Sequence, residues 1–311
     1  MLPTLDTSVQ NPGFLKMKQQ NDNIPAGIGL MLLTMFFFVT LDATAKYLMQ
    51  FYPTAQVIWG RFFFHMILVI AVLLSMKAGI RDKITSNKPG LQIARSFLML
   101  ATNGLFFLGI RTVDLTTAST ILFLTPIVVT ILSIPVLGER VGMRRWIGVV
   151  IGFIGAMIII RPGVIELDMA ILILVVSTFT HAFYQIYTRQ VRVYDDPLTS
   201  LLYTGLIGSI VMSTIIPFQW QWPEPAHWPM FVLMGLMGCL GHFCLIRSLR
   251  IAPVSVVAPF SYTTLIWATG FSYVLFDELP DYWVFAGAAL IVASGLYILH
   301  REQKTKPSPD S

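Results

Sequence analysis

Apolar residues come in blocks of about 20 along this chain, long enough for a helix to cross a bilayer. Short polar connections separate the blocks. The pattern predicts ten helical spans, over 27–47, 54–76, 91–110, 116–137, 144–160, 168–188, 198–217, 227–248, 253–276 and 282–300. Sustained period-2 alternation, the mark of a membrane barrel, does not occur. Helices pair every backbone group within the segment, as the bilayer interior demands. The predicted fold class is therefore an all-α polytopic membrane protein with ten transmembrane helices. Pro53, Pro89, Pro162, Pro197 and Pro253 stand at loop or helix-start positions, where a missing N–H costs little. Pro126, Pro135 and Pro259 lie inside spans and predict kinks.

Two stretches share one layout. Arg111–Pro162 and Arg250–Arg301 each hold an apolar run, a short acidic turn and a second apolar run rich in small residues. Overlaid without gaps, Arg111, Thr125, Thr130, Ser133, Glu139 and Gly148 fall on Arg250, Thr264, Thr269, Ser272, Glu278 and Gly287. The identities alone are modest. The shared punctuation, Glu at the end of one segment and Gly nine residues on, is what points to duplication. The expected organisation is two five-helix halves, 24–162 and 163–301, with a disordered cytoplasmic tail at 1–23 and a second tail at 302–311.

Charge sets the orientation. One side receives Lys16 and Lys18, then Lys77, Arg81, Lys83 and Lys88, then Arg140, Arg144 and Arg145. It also receives Arg189, Arg192, Arg247, Arg250, Arg301, Lys304 and Lys306, whereas the other side has Arg111 and Arg161. Basic loops face the cytoplasm, so both termini are expected there. Five spans is an odd number, so the halves are expected to be inverted repeats with a site where they meet near the midplane. Glu139 then falls on the cytoplasmic side and Glu278 on the outer side.

Composition agrees with this reading. The 311 residues are 55% hydrophobic and 12% charged, half the roughly 25% of a soluble domain. The net charge of +5 is accounted for by the basic loops and needs no nucleic-acid partner. Cys239 and Cys244 share one apolar span and read as packing residues, not a metal pair or disulfide.

The runs PIVVTILSIPVLGER and IGVVIGFIGAMIII close the first half. APVSVVAPFSYTTLIWATGFSYVLFDELPDYWVFAGAALIVASGLYIL closes the second. With the five-plus-five layout, they resemble the EamA-domain branch of the drug/metabolite transporter superfamily over about residues 24–301. The resemblance implies a ten-helix secondary transporter in the bacterial inner membrane, with a central cavity between the halves. It would move a small organic metabolite by alternating access. An importer of the riboflavin or S-adenosylmethionine type is the alternative. The implied partners are a small-molecule substrate and the lipid bilayer, with no cofactor. Coupling to a proton or a counter-substrate, and a monomer or a homodimer, stay open. The halves are not interchangeable: Pro126 meets Leu265 in the overlay and Pro259 meets Thr120. Arg247 stands where many relatives would carry a small residue.

Ionisable groups inside spans are functional candidates by default. Asp42 and Lys46 share a face of the first span, and a mutual ion pair and a cavity role both stay open. Arg61 lies two turns into the second span, too deep to reach the interface easily, with His65 on its face. It is expected to line the cavity, pairing with Asp42 or meeting an anionic substrate group. Arg95 opens the third span, and Asn103 within it is counted with the candidates. His181 sits mid-span with Ser177, Tyr184 and Thr188 on one stripe, facing a cavity or a neighbouring helix. His242, beside Gly235, Gly238 and Gly241, reads as a packing residue at a close helix contact. Tyr262 and Trp267 flank the kink expected at Pro259, where carriers expose backbone to substrate.

Other functions lack their residues. No G-x-x-x-x-G-K-[ST] run supports a nucleotide-driven pump. Asp42 is the one carboxylate well inside a span, and no two histidines share a helix at ligand spacing, so an intramembrane enzyme has no catalytic set. The excess of cations over Asp42, with aromatics nearby, predicts a substrate with an anionic or electron-rich group on an aromatic or apolar frame.

Overall fold

The computed structural model describes residues 23–76, 83–137, 143–160, 169–191, 194–252 and 254–305, all of them helix or connection with no strand. The helices are α1 (Ile24–Leu48), α2 (Thr54–Ser75), α3 (Pro89–Ile110), α4 (Leu115–Leu122), α5 (Thr125–Leu137) and α6 (Met143–Ile160). They continue as α7 (Met169–Val191), α8 (Pro197–Ile215), α9 (Trp228–Ile251), α10 (Thr264–Phe276) and α11 (Tyr282–Thr305). Six of these regions are long and apolar enough to cross a membrane: Ile24–Leu48, Thr54–Ser75, Pro89–Ile110, Met169–Thr188, Pro197–Phe218 and Trp228–Ser248. Each predicted span is met by helix at nearly its expected bounds. Most of the N-terminal tail, together with Glu139, Pro162 and Pro253, lies outside the described residues. α11 runs on to Thr305, into the stretch assigned to the C-terminal tail.

Helix starts follow local chemistry. The Asn23 side chain accepts from the Ala26 N–H, Asp114 from Thr117 and Asp196 from Leu198, each satisfying a donor the helix cannot. Pro89 and Pro197 open α3 and α8, where their fixed φ suits the first turn.

Two spans are broken. The fourth predicted span divides at Phe123–Leu124, just before Pro126, into α4 and α5. The ninth begins with one turn, Val254–Val257, passes through a 3₁₀ segment at Ala258–Thr263, and becomes α10 at Thr264. Both second segments are 13 residues long and start at the threonines that coincide in the overlay, Thr125 and Thr264. Proline removes an N–H and crowds the preceding turn, so Pro126 and Pro259 are sufficient local causes. Pro135 differs from expectation: α5 continues through it to Leu137.

α1 lies along α9, and α3 lies along α7. α2 packs against α8 and α9, while α8 packs against α2 and α3. α6 pairs with α11, α5 touches α7, α10 touches α1, and α4 crosses α10. The approach of α6 to α11 needs small residues. A Cβ on Gly287 would lie 2.5 Å from the Gly155 carbonyl oxygen, and one on Gly155 would lie 2.8 Å from that of Gly287. The Ser294 hydroxyl completes this seam by donating to the Gly148 carbonyl at 2.5 Å. Gly148, Gly152 and Gly155 thus lie on one packing face of α6.

Candidate functional site

A narrow cavity opens where α2, α3, α8 and α9 meet. Its walls are Arg61, Phe62, His65, Met99, Thr204, Gly238 and His242. It has room for about one water, so a metabolite enters only if neighbouring side chains move.

Small residues make this space for the polar groups. A Cβ on Gly205 would lie 3.1 Å from the His65 ring, and one on Gly238 would lie 3.5 Å from its Nδ1. His65 therefore sits between α8 and α9, with Cys239 Sγ 3.5 Å from Nδ1. The His242 ring lies edge-on to Phe38 at 5.0 Å and to His65 at 6.3 Å. Its assignment as packing alone is incomplete, because it also lines the cavity. Gly238, one turn earlier on the same face, lets the His65 ring approach α9 beside it.

Arg61 is 8% exposed and His65 6%. Nε and Nη1 of Arg61 are buried with no hydrogen-bond partner. The guanidinium lies over the Phe62 ring at 4.9 Å and near Phe107 at 6.0 Å. Asp42 is near enough to act electrostatically on Arg61, yet no ion pair of 4.0 Å or less joins them.

Lys46 does not pair with Asp42. Its ammonium donates to Glu278 at 2.5 Å and to the Val113 carbonyl at 3.0 Å. The backbone explains how Glu278 arrives there. Asp277 ends α10 in the left-handed region at φ 54°, and the Glu278 N–H returns to the Ser272 carbonyl at 3.1 Å. This closing turn directs the following residue back toward α1. Nearby, the Leu115 N–H donates to Ser272 Oγ, and the hydroxyls of Thr116 and Thr269 meet at 3.3 Å. These bonds tie α1, α4 and α10 together.

The polar stripe on α7 faces neighbouring helices. Ser177 donates to the Thr102 carbonyl at 3.0 Å, and His181 Nδ1 lies 3.3 Å from Thr125 Oγ1. Arg95 takes the rest: it donates to Thr188 Oγ1, the Ser200 carbonyl, Thr204 Oγ1 and the Tyr184 hydroxyl, all within 3.2 Å. Asn103 donates within α3 to the Met99 carbonyl at 2.8 Å. Tyr262 lies edge-on to Phe123, and Trp267 edge-on to Phe36, at 5.1 Å in each case. Of the eight predicted site residues, Arg61 and His65 line the cavity; Asn103, His181, Tyr184, Tyr262 and Trp267 are engaged elsewhere, and Asp42 acts on Arg61 electrostatically without being part of the cavity wall.

The model of the EamA-like transporter family matches residues 25–161 and again 168–299. The chain belongs to that family. It is a secondary transporter of the drug/metabolite transporter type and not an enzyme. It is 24% identical over 282 residues to an S-adenosylmethionine uptake transporter of Rickettsia prowazekii (strain Madrid E), covering 91% of this chain and 95% of the relative. A riboflavin transporter of Vibrio cholerae serotype O1 is 27% identical over 278 residues, covering 88% and 93%. A solved crystal structure matches with a TM-score of 0.65 at 14% identity, covering 91% of this chain and 99% of the other; the likeness concerns the fold.

Proposed function

We propose that this transporter moves a small organic metabolite by alternating access through the cavity at Arg61. Its ten spans form two inverted five-helix halves, 24–162 and 163–301, in the bacterial inner membrane with both termini cytoplasmic. The pairing of helices supports the two-half arrangement. Exchanging the first five spans with the last five turns the α1–α9 contact into α7–α3, α2–α9 into α8–α3, and α5–α7 into α10–α1, and every product is an observed contact. The basic loops support the orientation.

The observation that carries the reading is the position of the cavity. It is walled by the second and third spans of one half and their counterparts in the other, α2 and α3 with α8 and α9. Relative motion of the halves would expose that point to either side. The test is counterflow in proteoliposomes with the purified chain. Labelled substrate should accumulate transiently and saturably against unlabelled substrate inside. Flux that never saturates and ignores the internal load would reject a carrier.

Uptake of an S-adenosylmethionine-like or riboflavin-like metabolite is the specific form of this reading. It is supported by the full-length match to relatives bearing those names. A proton or a counter-substrate would couple the movement.

A further inference from the structure

We propose that two polar clasps are the gates of the cavity at Arg61, and that the outer clasp is the weaker and opens first in the empty carrier. The inference rests on the carrier reading and adds the residues that close its cavity at either end.

Each helix that walls the cavity begins in one of these clasps. α2 and α9 begin in the outer one. Gln56 lies in the first turn of α2; its side-chain N–H donates to the Gln221 carbonyl at 2.7 Å, and the Gln221 N–H returns to its side-chain oxygen at 3.0 Å. Beside it, the Tyr52 hydroxyl lies 2.7 Å from Nδ1 of His227, the residue that caps α9, and accepts from the Glu224 N–H at 3.0 Å. α3 and α8 begin in the inner one. There Asp195 accepts from the Ser86 hydroxyl, the Asn87 N–H and the Gln92 side chain in the first turn of α3. Lys83 pairs with Asp196, which caps α8. The cavity lies between the two. Arg61 is five residues beyond Gln56 and Met99 seven beyond Gln92, about 8 Å and about 10 Å along their helices.

The clasps are images of each other. Exchanging the first five spans with the last five turns the connection between spans one and two, which holds Tyr52, into that between six and seven, which holds Asp195. It turns the connection between seven and eight, which holds Gln221, into that between two and three, which holds Ser86. With both closed, the cavity has room for about one water, so a metabolite passes only after one clasp releases. Both lie in connections and first turns, where water can replace the released bonds at small net cost. Lys46 and Glu278 join α1 to the end of α10, and neither helix walls the cavity.

Their strengths differ. The inner bonds are made to carboxylates, and a hydrogen bond to an ionised group is about twice as strong as a neutral one. Arg95, one turn deeper on α3, extends that clasp by donating to the Ser200 carbonyl and Thr204 Oγ1 of α8. The outer bonds involve no carboxylate, and α9 carries no lysine or arginine before Arg247 to reinforce them. The outer clasp therefore yields first.

The experiment places a single reporter thiol in the cavity wall of the full chain, Met99→Cys with Cys239→Ser and Cys244→Ser. A charged, membrane-impermeant methanethiosulfonate is applied to either face of oriented vesicles. The thiol should react faster from the face bearing Gln221 than from the face bearing Lys83. Gln56→Ala should raise the rate from the Gln221 face about fivefold, the weight of about one net hydrogen bond. Asp195→Asn should raise the rate from the Lys83 face by a similar factor, and neither change should move the rate from the opposite face. As a check independent of stability, Ser86→Cys with Asp195→Cys, oxidised to a disulfide in the chain lacking Cys239 and Cys244, should stop counterflow of S-adenosylmethionine or riboflavin, and reductant should restore it. Faster reaction of the reporter from the Lys83 face overturns the order of opening. Variants that leave both rates unchanged or raise both alike, or a disulfide that leaves counterflow running, overturn the gates. In each case saturable counterflow by the parent leaves the carrier standing, whereas parental flux of these probes that never saturates rejects the carrier whatever the labelling.

Discussion

Phe123 and Tyr262 coincide in the overlay of the two similar stretches and touch each other, their ring centroids 5.1 Å apart at an interplanar angle of 82°. Each lies at the break of its span, just before the helix that begins at Thr125 or Thr264. The two broken spans therefore meet at their breaks. An edge-to-face aromatic pair contributes about 0.5–1.5 kcal/mol beyond its area.

That point is tightly packed on one side. A Cβ on Gly295 of α11 would collide with the Tyr262 hydroxyl. Gly295→Ala should therefore force the ring off Phe123 and lower the unfolding temperature, at about 1–3 kcal/mol for overpacking. Tyr262→Phe removes the colliding oxygen, and the double variant should recover most of the loss. Thermal unfolding in detergent reads this; no recovery in the double variant would mean the ring is not the obstacle.

The Lys46–Glu278 pair should respond unequally to its two deletions. Lys46 is 5% exposed and Glu278 38%. Lys46→Met leaves a glutamate that water can reach. Glu278→Gln leaves a buried ammonium with the Val113 carbonyl and an amide, nearer the about 3–5 kcal/mol cost of an unanswered buried charge. Glu278→Gln should thus lower the unfolding temperature more than Lys46→Met. Equal losses would indicate that the ion pair is hydrated in the membrane.

Hydrophobic block length was enough to read the helices, because bilayer thickness fixes how long an apolar run must be. Pro126 and Pro259 were legible as breaks for the same kind of reason: a missing N–H acts locally. Pro135 was not a break, since its neighbours carry α5 through it. The site was legible only in part. Arg61 and His65 share a helix face, and intrahelical spacing is written in sequence. His242 comes from α9, and its arrival beside His65 depends on which helices pack together. A Lys46–Asp42 pair was one of two open readings, because four-residue spacing puts them on one face. The partner of Lys46 lies 232 residues away, and no local pattern encodes that.

Tyr184 separates structural from substrate effects. Its hydroxyl accepts from Arg95 at 2.9 Å. Tyr184→Phe removes one of that arginine's acceptors and should cost about 1–3 kcal/mol, the usual range for an unsatisfied buried donor. The apparent affinity for substrate should change little, while the folded yield falls. Arg95→Lys should be worse, because a single ammonium cannot span Thr188, Thr204, Tyr184 and the Ser200 carbonyl. A Tyr184→Phe variant with normal stability and a raised KM would return Tyr184 to the binding site.

Asp195 ties the segment before α3 to the loop between α7 and α8. It accepts from the Ser86 hydroxyl at 2.5 Å, the Asn87 N–H at 2.8 Å and the Gln92 side chain at 2.9 Å. Lys83 and Asp196 pair alongside. Burial alone would raise the Asp195 carboxyl, but hydrogen bonds from Ser86, Gln92 and Asn87 outweigh it and hold the group below its ordinary value. A carboxylate whose folded value is depressed contributes stability that is fully present above its unfolded value, about 3.9, and lost as pH falls through the folded value. Asp195→Asn should therefore lower the unfolding temperature at pH 6–7, a range chosen as about two units above that unfolded value. The gap to the parent should then narrow as the pH is taken below about 4, where protonation of Asp195 removes the parent's advantage. Hydrogen exchange should quicken at Asn87 in the variant at neutral pH, because the N–H there loses its charged acceptor. A gap that widened on acidification would mean that the parent carboxyl is raised in the folded chain and that burial, not the hydrogen bonds, governs it.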